Sequence, residues 1–192
     1  MSRAIERSLT QIVHDAAQSL TNGLRHFYPA RNKNGFNEAN LSYHFAKVFE
    51  KRPGACAFFE IPLWNDTRAK FNQRIDCLVF DRHIAVFVEC KRLYSNEKSS
   101  EIAADFKRLT WQATRQILDD MTDKPDIDRS VYRLVLMETW QQSVVNWWQG
   151  EASRLKWDCS WHPVTRDSVL IRNFDSDVSL YWLYGFERIS PT

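Results

Sequence analysis

Apolar positions recur along this chain with two different periods. Ile5, Leu9, Ile12, Val13, Ala16, Leu20 and Leu24 return every three or four residues and predict an N-terminal helix over 4–27. The polar stretch Arg31-Asn32-Lys33-Asn34-Gly35 interrupts it. A second helix is predicted from Asn37, a residue suited to capping, to Lys51, with Pro53-Gly54 as its stop. The pattern then becomes that of strands, over 57–64, 71–80 and 84–93, the last two joined by the short turn Asp81-Arg82-His83. Helical spacing resumes over 99–121, where Ile102, Phe106, Leu109, Ala113 and Ile117 share one face, and Asp123-Lys124-Pro125-Asp126 breaks it. Val131–Met137 reads as a buried strand, and because it follows a crossover helix it is expected to run parallel to the strand before that helix. A helix over 141–156 and strand-like runs at 169–171 and 179–186 close the chain. The expected fold is α/β, with a mixed central sheet flanked by helices in the order α-β-β-β-α-β, an extra N-terminal helix and a C-terminal α+β extension over 139–192.

Chemistry enters where polar residues interrupt the apolar strands. Asp76 lies near the start of Arg74-Ile75-Asp76-Cys77-Leu78-Val79-Phe80, and the next strand ends in Glu89-Cys90-Lys91. Side chains alternate along a strand, so Glu89 and Lys91 point one way and Cys90 the other. A hairpin about Asp81-Arg82-His83 places Asp76 opposite the far end of the next strand, beside both. Val86, Phe87 and Val88 imply a strand covered on both faces, where charges are seldom placed without a partner or a task. Two carboxylates and an ammonium in that position point to a metal-dependent hydrolase. The competing reading is an edge aspartate with a solvated ion pair.

The element order, with Asp on the second strand and Glu-x-Lys on the third, resembles the PD-(D/E)XK nuclease superfamily, the restriction-endonuclease-like fold, over roughly residues 36–138. Twelve residues separate Asp76 from Glu89, and Ile75 stands where the name-giving proline would be. The resemblance implies a magnesium-dependent nuclease, with manganese as a substitute, acting on DNA, with RNA not excluded. It implies Asp76, Glu89, Lys91 and Glu38 as catalytic residues. Asp76, Glu89, Glu38 and the backbone carbonyl of Cys90 would be the metal ligands. Glu38 continues the stripe Leu41, Phe45, Val48 toward the core side of its helix, where a carboxylate is costly unless paired or bound to a metal.

Glu60 on the first strand, and Arg108 and Gln112 on the long helix, are second-tier candidates; a surface strand position and a solvated helix face compete with those roles. Arg68, Lys70, Arg74 and Arg92 form a local basic set suited to phosphates without base specificity, or an ordinary charged loop. The net charge of +2 gives no global argument for nucleic acid, so any such site must be local. The four cysteines show no metal-binding spacing and are expected to be reduced core thiols. The histidines are scattered, and Asp175-Ser176-Asp177 reads as a turn. Trp140, Trp147, Trp148, Trp157 and Trp161 are expected in core packing or a dimer face in preference to base stacking. No apolar run approaches a membrane span and no signal-peptide core is present, so a single cytoplasmic domain is expected over 1–192, as a homodimer or with a partner protein. The alternative function is a non-catalytic binding, immunity or assembly protein on the same fold.

Overall fold

A computed structural model describes residues 2–25, 37–63, 73–121, 129–175 and 178–191. Among these, five helices flank a six-stranded mixed sheet. The elements are α1 (Ser2–Leu24), α2 (Ala39–Phe49), β1 (Cys56–Pro62), β2 (Arg74–Phe80), β3 (Ile84–Arg92), α3 (Asn96–Arg108), α4 (Trp111–Met121), β4 (Ser130–Thr139), α5 (Gln142–Gln149), β5 (Thr165–Asp175) and β6 (Val178–Ile189). The strand order is β1-β2-β3-β4-β6-β5. Only β3 and β4 run parallel, as their crossover requires; the other neighbours are antiparallel.

Alternation along each strand divides the core between the two faces. Cys77, Val79, Val86, Val88, Tyr132, Leu134 and Leu136 face one way, under the apolar stripes of α1 and α2. Leu78, Phe87, Val135, Met137 and Leu183 face the other, under α3, α4 and α5. Central strands covered on both sides are buried almost end to end, the burden of a sheet with helices on each face. The C-terminal strands lie within this sheet: β6 pairs with β4 from Val131↔Ile189 to Thr139↔Tyr181. Gly185 makes room for that closure, because a Cβ there would stand 2.9 Å from the Trp148 ring.

Two expected helices differ. The segment read as one helix over 99–121 is two, since Leu109 leaves helical geometry while staying buried, and Thr110 Oγ1 accepts the Ala113 N–H to restart the turn. Ser95 starts α3 earlier than expected by accepting the Lys98 N–H. The helix expected to reach 156 ends at Gln149, because Gly150 adopts φ +78°, a left-handed stop. The cysteines also depart from expectation: Cys77 and Cys90 are buried, but Cys56 and Cys159 are exposed. Trp147, Trp148 and Trp161 are core residues that pack around His162, as expected of them; Trp140 and Trp157 are half-buried beside the core. No helix among the described residues is long and apolar enough to cross a membrane.

The β2–β3 turn is held by Asp81, whose carboxylate accepts the N–H groups of His83 and Ile84 and the Arg52 guanidinium. Its backbone carbonyl accepts from Arg129. Burial alone would raise this carboxyl, but the two N–H donors and Arg52 outweigh it and hold it below the usual range. Its stabilising contribution is present above the unfolded-state value and is lost as pH falls through the lowered folded value. Asp81→Ala should cost about 2–4 kcal/mol in denaturant unfolding at neutral pH. The gap from the parent should narrow in acid; a gap that stays constant down to pH 2 would contradict this account.

Candidate active site

The C-terminal end of β3 gathers most of the charged residues expected from the sequence. The β2–β3 register runs Cys77↔Val88, which brings Asp76 beside the end of β3. Asp76 Oδ2 accepts the Cys90 N–H at 2.6 Å. Burial, the largest influence, raises the Asp76 carboxyl; the Cys90 N–H and Lys91 pull it down, while Glu38 and Glu60 push it up.

Glu89 points to the α3 face and is 1% exposed. Arg108, the last residue of α3, donates from Nη2 to Glu89 Oε1 at 2.9 Å and to the Arg74 carbonyl at 2.6 Å. Its Nη1 stands 3.0 Å from Asp105 Oδ1. Burial still dominates, and together with the nearby Asp76 and Asp105 charges it pushes the Glu89 carboxyl up to about 8 against the pull of Arg108.

Lys91 shares that face. Its Nζ lies 3.5 Å from Glu101, 3.8 Å from Asp105 and 3.9 Å from Glu38. Glu38 precedes α2, its carbonyl accepts the Leu41 N–H, its side chain makes no cap bond, and its Oε1 accepts the Arg92 N–H at 3.0 Å. Glu38, partly exposed at the cap of α2, thereby reaches the sheet end.

Other candidates fall elsewhere. Glu60 lies on edge strand β1, exposed and at φ +55°, a strained conformation for a residue with a Cβ. It interrupts the β1–β2 register between Phe59↔Cys77 and Ile61↔Ile75, alongside Asp76. Gln112 is exposed on α4 and lines a cavity of about 710 Å³ with Arg133 and Arg188, not the cluster at Glu89. Arg74 is exposed and donates to the Glu60 carbonyl. Arg68 and Lys70 lie outside the described residues, as does part of the Asp175-Ser176-Asp177 turn.

Three charged residues of the cluster escaped the sequence reading or entered it only as helix-face polarity. Glu101 and Asp105 hold Lys91. Glu138, at the end of β4, is 2% exposed, and burial pushes its carboxyl up to about 7. Glu138 directly follows the apolar run Val131–Met137 and lies opposite Arg92 in the β3–β4 register, on the sheet face away from Glu89.

No family model matches this chain, and neither a curated protein nor a solved structure matches it.

Among the described residues no three His, Cys, Asp or Glu side chains converge closely enough to hold a metal as they stand. The donor set suits a hard divalent cation all the same. It is all oxygen, and burial with mutual repulsion lifts both Asp76 and Glu89, a cost that a cation relieves. In this arrangement Arg108 is the cation beside Glu89, and the Cys90 N–H covers one oxygen of Asp76.

A raised carboxyl favours folding in its protonated form. That contribution is present below the ordinary value of 4.5 and is lost as pH rises toward about 8. Glu89→Gln should flatten the fall of melting temperature across that window, with a smaller slope remaining from Glu138. Parent-like pH dependence in the variant would place the Glu89 carboxyl in the ordinary range.

Proposed function

We propose that this protein is a divalent-cation-dependent phosphodiester hydrolase of the restriction-endonuclease-like kind, acting on DNA. The observation that carries this reading is the grouping of Asp76, Glu89 and Lys91 at the ends of two adjacent buried strands, with both carboxyls raised by burial. Magnesium, or manganese in its place, would polarise a phosphoryl oxygen and lower the pKa of a bound water when held by Asp76, Glu89, Glu38 and the Cys90 carbonyl.

The chain's own residues supply the rest. Lys91 presents an ammonium to orient water and to stabilise charge growing on the phosphate. Glu101, Asp105 and Glu38 limit where that ammonium can go. Arg108 fixes Glu89 through a charged hydrogen bond and ties it to β2 through the Arg74 carbonyl. The Cys90 N–H orients Asp76. Asp76→Ala and Lys91→Ala should each lower cleavage at least about a hundredfold while leaving the fold intact.

A second reading, a non-catalytic binding protein on this fold, is favoured by the engagement of both cations: Arg108 pairs with Glu89, and Lys91 is engaged by three carboxylates. Cleavage of supercoiled, linear and single-stranded DNA, and of RNA, with magnesium or manganese separates the two. The hydrolase should cut at least one substrate and gain melting temperature with the metal, a gain absent from Asp76→Ala. Absence of both cutting and metal-induced stabilisation would favour the binding protein.

A further inference from the structure

Glu138 is anomalous where it stands. It ends a strand of apolar residues, is 2% exposed, and neither of its carboxylate oxygens receives a hydrogen bond. A buried carboxylate in that state costs several kcal/mol unless something offsets it. Among the described residues the one close cation is Arg92, whose Nε lies 3.3 Å from Glu138 Oε1. The two residues are direct lateral partners in the parallel β3–β4 register, Arg92↔Glu138, so they share a face of the sheet.

Arg92 is held at two points. Its backbone N–H is taken by Glu38, and its Nε side is drawn to Glu138. Its side chain is 28% exposed, and among the described residues no hydrogen bond reaches its two terminal Nη groups. A guanidinium has five N–H donors in a rigid fork. Fixing the Nε side on a buried acid leaves the Nη pair for an outside anion, and a phosphate suits a planar, bidentate donor. If packing were the sole requirement at 138, an apolar side chain would meet it without the cost of a buried charge.

We propose that Glu138 is a positioning residue that holds Arg92 as a fork for a backbone phosphate of the nucleic acid, next to the phosphodiester that Lys91 serves. The inference rests on the hydrolase reading, because the phosphate is that of its substrate. Arg92 neighbours Lys91 in the chain but lies on the opposite face of β3. The fork therefore grips the strand beyond the reacting group and does not duplicate Lys91.

The test is binding of a fluorescein-labelled DNA duplex across a salt series, with calcium in place of magnesium, by the parent, Arg92→Gln, Glu138→Gln and the double variant. Arg92→Gln should weaken binding about tenfold and reduce the salt slope by about one. Glu138→Gln, which retains shape and removes a buried charge, should weaken binding by a similar factor without lowering melting temperature. The double variant should bind no worse than Arg92→Gln alone, since both act on one contact. It also guards against misfolding, because Arg92→Gln alone strands a buried acid.

Parent-like binding by Arg92→Gln would overturn the proposal. So would an unchanged Glu138→Gln, or losses that add in the double variant. If the parent cuts DNA with magnesium but Arg92→Gln binds as the parent does, this inference alone fails. If the parent neither binds nor cuts nucleic acid, the hydrolase reading fails with it.

Discussion

Glu89 and Glu138 each lie near the C-terminal end of a strand whose other side chains are largely apolar, inside a sheet that helices cover on both faces. Neither carboxyl is open to bulk water, burial raises both, and each has an arginine beside it. Arg108 comes from the end of α3 to meet Glu89, and Arg92 comes from the adjoining strand to meet Glu138. That pairing fixes much around it. The helix break at Leu109-Thr110 falls directly after Arg108, which ties α3 to the sheet at that point. Glu38 pins the Arg92 backbone from α2. The charged groups here come from four elements or their caps, and each restrains the next.

The two ends of the β3–β4 pair differ in kind. At the turn end, Asp81 satisfies two N–H groups and Arg52, its carbonyl takes Arg129, and the Ser130 N–H bonds the His83 carbonyl. The opposite end carries the Glu138 carboxylate without a hydrogen bond and Arg108 Nε buried without an acceptor. Polar groups left short inside a protein are costly, and they collect where chemistry needs charge that water has not quenched. One end of the sheet secures the fold, and the other keeps unused electrostatic capacity.

The strands and the hairpin were legible because their signals are local: alternation, a polar turn and an apolar run of strand length. The pairing of Asp76 with the end of β3 followed from counting residues about that turn. What stayed illegible depended on backbone choices or on non-local neighbours. Apolar spacing continues through Leu109, which stays buried while leaving helical geometry, so the division of α3 from α4 does not disturb the pattern. Gly150 ended α5 through a left-handed turn that a periodic pattern overlooks. Glu138 became visible only once β4 was laid beside β3, since its partner is 46 residues away in the chain. Gln112, a second-tier candidate on what read as one long helix, turns to another cavity because the break at Thr110 sets a new phase for α4.

The cysteines give the fold a built-in clock. Burial raises the Cys77 and Cys90 thiols far above the range in which thiolate forms, while Cys56 and Cys159 are open to solvent. Thiolate is the reactive form, so alkylating reagents meet two fast sulfurs and two silent ones. Once the fast pair is blocked, later modification at Cys77 or Cys90 records moments when the central strands part. Cys90 stands between Glu89 and Lys91, so its slow labelling times the opening of the strand that bears the charged cluster, with no probe added to the molecule.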